Sequence, residues 1–504
     1  MPASAVHKLF DIHPASKVAS PAPTHQQSVK KSAQGLHDVG VLPDIGLAQI
    51  APAKTRDELT TSLQNSSRQG VASDMQKPTT PNELETSRPP TLRGDDAVGL
   101  MRTWNSPSMT KWRILCCCLI NFANGMNDSV VGALIPYIES HYHISYTIMS
   151  LVFVGNAFGF IAAAFFTDMI LKKIGRGKAM VLGDMIQLSA YIILVCTPPY
   201  PLVVVSFFLL GYGAAMNLAL NNVYCANTHP PSAVLGAAHG SYGIGGIVAP
   251  IVGTALVSNG VLWSRFYFLA VGLRLCCIVF TAYAFWNYDE HAEPAVIAAT
   301  TSAQAAAADK QKDLKVALEN KVTIFGALFI FAYQGAEVSI SGWIISYLIN
   351  YRDGNPAKVG YVTAGFWGGI TLGRFVLTHL APRLGEKNFV VILTLGTFIF
   401  QLLAWLVPNV IGNAVAVSLL GLLLGPVYPC AQTIFSRLLP RHIQTTAIGF
   451  IGGAGSSGGA VAPFTTGILA QAAGTWVLHP VCLGLYGAMM ACWFALPRVH
   501  KRTE

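Results

Sequence analysis

Residues 236–250 read GAAHGSYGIGGIVAP and residues 449–463 read GFIGGAGSSGGAVAP. With a shift of 213, Gly236, Gly240, Gly245, Gly246, Val248, Ala249 and Pro250 meet Gly449, Gly453, Gly458, Gly459, Val461, Ala462 and Pro463, seven identities in fifteen positions. A shift of 210 extends the match, placing Gly125, Gly132 and Tyr137 on Gly335, Gly342 and Tyr347, and Gly155 and Gly159 on Gly365 and Gly369. The chain therefore contains an internal duplication. Glycine and proline at this density argue against helix in water, but packed membrane helices use small residues for close approach and tolerate proline.

Composition selects the solvent. Of 504 residues 52% are hydrophobic and 11% charged, with a mean hydropathy of +0.48, a balance that excludes an ordinary large cytosolic enzyme. The ten cysteines lie in or beside apolar runs without a C-x-x-C pair, which excludes a disulfide scaffold or a zinc module. The net charge of +9 is scattered through a polar tail and short loops, so nucleic acid is not an expected partner. No nucleotide-binding loop, metal-ligand helix or nucleophile elbow stands in a supporting context, so no enzyme activity, cofactor or metal is expected.

A bilayer core takes roughly 20 helical residues. From Trp112 onward twelve apolar segments reach that length, near 112–138, 147–171, 178–197, 202–225, 236–258, 265–288, 322–349, 358–380, 388–407, 410–436, 444–472 and 476–496. The expected fold is an all-α membrane protein, twelve transmembrane helices in two six-helix pseudo-repeats. Its expected divisions are a disordered tail 1–111, a first bundle 112–288, a linker 289–321, a second bundle 322–496 and a short tail 497–504. Lys172, Lys173, Arg176, Lys178, Arg383, Lys387, Arg437 and Arg441 occupy short loops on the tail side, against Arg265, Arg352 and Lys358 opposite. Eight against three places both termini in the cytoplasm. The plasma membrane is expected in preference to the vacuole, and a monomer in the lipid bilayer.

Two similarly oriented units joined by a linker form an architecture in which a solute site lies between the halves and rocking exposes it to each side in turn. At this point residues 112–496 resemble the major facilitator superfamily. The resemblance includes a fifth-span antiporter motif, met by Gly236, Gly245, Ala249-Pro250 and Gly253-Thr254 with two glycines replaced. Its recurrence at Gly449, Gly458 and Ala462-Pro463 leaves two readings open, transport direction or helix packing; Gly245, Pro250, Gly458 and Pro463 are structural candidates either way. The family's loop signature between spans 2 and 3 implies a gating acid at Asp168, but Met169 follows it and Gly175-Arg176-Gly177-Lys178 comes seven positions on. Asp168 and Arg176 are gating or orientation candidates. Asn121, Asn124, Asn127 and Asp128, with His239-Gly240-Ser241-Tyr242-Gly243, look most like the fucose-permease-like branch and its fungal relatives. Sugar-transporting members carry an acid in span 4, where this sequence has Asn217, Asn221 and Asn222.

An ionisable side chain deep in the bilayer costs on the order of 3 kcal/mol, so its presence points to function. Asp128 and Glu337 are the candidates for proton coupling, since desolvation penalises a charged carboxylate and alternating exposure lets an acid load on one side and release on the other. The alternative for each is a static pair with an arginine or a hydrogen bond to Asn or Tyr. Arg274 is read as neutralising a carboxylate inside the first bundle, with Asp184 a shallower acid, and Arg374 as packing or gating. Four pairs spaced i, i+4 (Asn124 with Asp128, Asn217 with Asn221, Tyr333 with Glu337, Tyr428 with Gln432) share helix faces. With Gln334, Trp343 and Trp367 they are the candidate solute-binding set, the alternative being interhelical polar glue. His239 is read as a satisfied interhelical residue.

The expected function is a proton-coupled secondary transporter of a small organic solute, leaning to export of a metabolite. Uptake of a monosaccharide with protons is the alternative, and a transporter-like nutrient sensor is the alternative of another class.

Overall fold

A computed structural model of the protein describes residues 103–288, 316–440 and 443–497, which fall in one compact unit. Nearly all of the expected tail and linker, and the last seven residues, lie outside the described residues. Apart from isolated bridges of Thr103 with Ser106 and His229, regular structure among the described residues is helical. Twelve helical spans follow one another: α1 (Met109–Tyr142), α2 (Leu151–Ile174), α3 (Arg176–Val195), α4 (Tyr200–Ala226), α5 (Pro231–Ser258), α6 (Phe266–Phe285), α7 (Lys321–Asn350), α8 (Val362–Val376), α9 (Glu386–Leu406), α10 (Val410–Leu424, resumed as Val427–Leu438), α11 (Gln444–Ala473) and α12 (Leu478–Ala495). Ten spans among the described residues are long and apolar enough to cross a membrane by themselves. The other two are α8, regular for 15 residues before a 3-10 turn at Leu377–Leu380, and the glycine-rich α11.

Local chemistry sets the ends. Free backbone N–H groups at a helix start need acceptors. Asn320 supplies one to Val322 N at 2.8 Å, and Asn409 one to Gly412 N at 3.0 Å. His143 closes α1 in the left-handed region with φ 52°, its N–H bonded to Glu139 O.

The duplication is visible in how glycines seat neighbouring backbones. A Cβ on Gly245 of α5 would overlap the Phe122 carbonyl oxygen of α1, and one on Gly458 of α11 would overlap that of Phe331 in α7. Gly159 of α2 meets Phe208 and Gly211 of α4, while Gly369 of α8 meets Ser418 and Gly421 of α10, each partner moved by the same 210 residues. Small residues thus bring the same helix pairs into backbone contact in both halves, the association expected where no hydrophobic force drives helices together in lipid.

The halves meet along a seam. Alternation of the spans puts one set of loops, around 143–145 and 474, on what we name the far face, and another, around 227–230 and 439–440, on the near face. At the far face Tyr146 N donates to Gln471 Oε1 at 3.1 Å, and the Tyr146 and Phe153 rings lie 5.8 and 6.2 Å from that of Trp343. Gly467 of α11 leaves room for Ser150, since a Cβ there would come within 2.7 Å of Ser150 Cβ. Deeper, Gly132 lies against Ser341 and Gly342, and Gly243 and Gly246 of α5 against Thr371 and Trp367 of α8. Toward the near face the seam has no such contact at Gly236, Gly449, Gly452 or Gly453, where a Cβ would meet nothing within 4 Å.

Candidate functional site

Two polar clusters among the described residues hold most of the ionisable candidates. The first is inside the amino-terminal half. Asp184 and Gln187, three residues apart, share a face of α3, and Arg274 and Thr281, two turns apart, share one of α6. Arg274 donates from Nη1 to Asp184 Oδ1 at 2.8 Å, and from Nη2 to Asn124 Oδ1 at 2.9 Å and Gln187 Oε1 at 2.7 Å. Asp184 also accepts from Asn217 Nδ2 at 2.8 Å and Thr281 Oγ1 at 3.0 Å. Both charged side chains are 0% exposed. A buried charge is tolerable when it is paired and hydrogen-bonded, and four helices, α1, α3, α4 and α6, supply partners to this pair, although Arg274 Nε stays buried without one.

The second cluster sits at the seam. Asp128 of α1, half-buried, accepts from Asn127 Nδ2 at 3.0 Å and, on its other oxygen, from the Tyr242 hydroxyl of α5 at 2.7 Å. The Tyr242 ring stands edge-on to Trp367 of α8, centroids 6.0 Å apart, and Trp367 Nε1 donates to Ser341 Oγ of α7 at 2.9 Å. On the carboxy-terminal side Glu337 of α7 faces Arg374 of α8 at 3.7 Å, too far for a hydrogen bond, with the arginine side chain 28% exposed. The buried Tyr333 hydroxyl lies beside both charged groups without a hydrogen bond that satisfies it. Its ring centroid is 5.7 Å from that of Tyr428, and the neighbouring Gln432 keeps its Oε1 buried and unpartnered.

Expected solute residues divide between these places. Asn124 and Asn217 are drawn into the Arg274 cluster, away from the seam, because the buried guanidinium takes the Asn124 oxygen and the buried Asp184 carboxylate takes the Asn217 N–H. Asn221 is fully buried with neither amide atom partnered. Trp343 forms part of the far seam, its indole N–H donating to Pro463 O at 2.9 Å, and the Gln334 amide lies against α11 at Gly455, 2.5 Å from where a Cβ there would stand. Asp168 is exposed on α2, while Arg176 donates to Leu220 O at 2.9 Å. Pro250 is buried. His239 is exposed, which corrects the reading of it as satisfied between helices. Asp184, read as shallow, is the centre of the first cluster. Tyr242 was missed as a site residue although it lies within the His239–Gly243 stretch. Gln187, spaced i+3 from a mid-span acid, was the legible signal for the first cluster.

A profile described as Major Facilitator Superfamily matches residues 117–463 and, again, 328–503. The yeast Saccharomyces cerevisiae protein "Bypass of stop codon protein 6" is 24% identical over 84% of this chain and 90% of its own. "Glucose/mannose transporter GlcP" of Bacillus subtilis is 22% identical over 76% and 93%, and the Brucella abortus "Glucose/galactose transporter" 24% identical over 71% and 87%. These relatives are compatible with the fucose-permease-like branch. Among solved structures, that of a D-xylose-proton symporter superposes with a TM-score of 0.63 at 11% identity, over 79% of this chain and 99% of that one, a likeness of fold. A duplicated twelve-span bundle, polar groups gathered where its halves meet and a profile covering most of the chain lead to one conclusion: the chain belongs to the Major Facilitator Superfamily, and is a membrane transporter and not an enzyme.

Proposed function

We propose that the protein is a proton-coupled secondary transporter that takes up a monosaccharide-like solute by alternating access. The carrying observation is the charge balance at the seam: Asp128 and Glu337 against Arg374 leaves one negative charge when all three are ionised, so one proton neutralises the cluster. A neutral seam closes more readily around a desolvated solute than a charged one. The unspent Tyr333 hydroxyl and Gln432 oxygen, beside a loosely held carboxylate and guanidinium, offer the alternating donors and acceptors a polyhydroxylated ring requires, and Trp367 offers it an apolar face. The names of the bacterial relatives and of the symporter with the same fold support a sugar.

Export of a metabolite has less support. The α5 motif suggested it, but the motif's central glycine seats α1 just as its counterpart in α11 seats α7. A feature used alike in both halves carries no direction. In this reading Asp128 and Glu337 carry the proton, the near face and both termini are cytoplasmic, and the membrane is the plasma membrane.

The test is uptake of labelled D-glucose, D-galactose and D-xylose into proteoliposomes under an imposed pH gradient. At least one should accumulate with the gradient, and Asp128→Asn and Glu337→Gln should abolish accumulation. Flux of all three indifferent to the gradient, or unchanged accumulation in both variants, would sink the reading.

A further inference from the structure

We infer that Tyr242 is the positioning residue through which the protonation of Asp128 governs contact between the two halves. The inference rests on the proton-coupled reading above and adds to it a mechanical link.

The residue is held from two sides. Its backbone lies against Gly125 of α1, where any Cβ would overlap the Tyr242 carbonyl oxygen. Gly125 stands three residues before Asp128, on the same side of α1, so this approach also brings the tyrosine hydroxyl to the acid at 2.7 Å. Next in sequence, Gly243 has no side chain to keep α5 from Thr371 of α8, and a Cβ on Gly246 would come within 3.3 Å of Trp367. The ring therefore reaches across the seam to Trp367 while its hydroxyl stays committed to the amino-terminal half.

An ionised carboxylate only accepts hydrogen bonds, and a phenol has a single hydrogen to give. With Asp128 ionised, that hydrogen is spent on it. Asn127 Nδ2 can only donate and holds Oδ1, so a proton arriving from water on one face is directed to Oδ2, the oxygen facing Tyr242; there the carboxyl group becomes a donor and the direction of that bond reverses. The phenol now accepts, and its own hydrogen is released to another acceptor. Protonation of the acid thereby changes what the tyrosine can bind on the opposite half. Departure of the proton to the other face restores the first arrangement.

The surroundings suit such a switch. Arg274 of α6 and Tyr191 of α3 lie within electrostatic reach of Asp128, and Glu337 of α7 and Arg374 of α8 within that of Tyr242, with His239 of α5 close to Arg374. Arg274 is already tied to Asp184 at 2.8 Å. Glu337 across the seam is the carboxylate with a loose partner, at 3.7 Å.

The experiment needs no solute. Fluorescent noncanonical residues at positions 236 and 449, where a side chain meets nothing within 4 Å, report near-face separation of the full chain in liposomes between pH 5 and 8. The parent should show a pH-dependent change in the two-state ratio. Tyr242→Phe keeps the ring and loses the hydroxyl, and the pH response should fall about tenfold, the equilibrium factor of one hydrogen bond to a charged group. A Tyr242→Phe protein that keeps the parent's pH response overturns the inference, even if it is less stable. If that variant cannot be purified folded, Trp367→Leu decides: it keeps the Asp128 bond and removes the ring opposite, and an unchanged pH response overturns the inference equally. Persistence of the response in Asp128→Asn would instead overturn proton coupling through that acid.

Discussion

A Cβ built on Gly132 of α1 would stand 3.4 Å from the Cα of Gly342 in α7, its counterpart 210 residues later. In a two-fold arrangement an equivalent pair meets itself only on the axis. These two glycines therefore mark the pseudo-two-fold axis of the duplicated bundle, and the seam on which transport depends is centred there.

Gly132→Ala and Gly125→Ala introduce the same methyl group against a backbone oxygen, but in different company. The oxygen facing Gly125 is that of Tyr242 in the same half, and the oxygen facing Gly132 is that of Ser341 in the other. Gly125→Ala should lower thermal stability by about 1–3 kcal/mol, as overpacking does. Gly132→Ala should leave the melting temperature nearly unchanged and hold the seam apart, seen as faster alkylation of a cysteine placed at Gln471.

Arg274 is fully buried in its pair with Asp184, so Arg274→Met should cost about 3–5 kcal/mol by leaving a carboxylate uncompensated. Adding Asp184→Leu should recover much of the loss. Thermal unfolding of the purified variants checks this. A double variant less stable than the single would show that the pair's value lies in its hydrogen bonds to Asn124, Asn217, Gln187 and Thr281.

The contrast between these residues shows what the sequence could tell. Span number and duplication were legible because lipid demands long apolar helices, and the same count of apolar segments found α8 and α11, which fall short of the other ten in length or apolarity. That Arg274 neutralises a carboxylate of its own half was legible, but not which one, since Asp184 and Arg274 are 90 residues apart. Helical spacing also misled at Asn124 and Asp128. Four residues advance a helix by roughly one turn and 40°, so one stripe can face two neighbours: Asn124 turns to Arg274 of α6, Asp128 to Tyr242 of α5. Tyr242 had no periodic signal, because its value comes from two glycine approaches that only the packed bundle creates.

In α11 the expected tolerance changes along a single helix. Gly449→Ala and Gly453→Ala add a methyl group where nothing lies within 4 Å and should be neutral or stabilising by about 0.5–1 kcal/mol, the ordinary helix gain over glycine. Gly458→Ala drives into the Phe331 carbonyl oxygen and should reduce folded yield. Melting temperatures measured side by side decide it.

Trp343 closes the far seam from the carboxy-terminal half, with its indole anchored on Pro463 O at 2.9 Å. Trp343→Ala should raise far-face labelling of a cysteine at position 146 and slow exchange, while Trp343→Phe should keep most of the closure through the Tyr146 and Phe153 rings. Gln471→Ala should matter little, because its one bond across the seam is exposed.

The knot around Arg274 gives the two bundles unequal durability. It fastens four helices from within, whereas the ion pairs of the other bundle among the described residues are the loose Glu337–Arg374 contact and the exposed Arg437–Glu386 pair. On extraction into harsh detergent the carboxy-terminal bundle should loosen first, so antibodies or small molecules sought as stabilisers for handling this protein should be selected against that bundle.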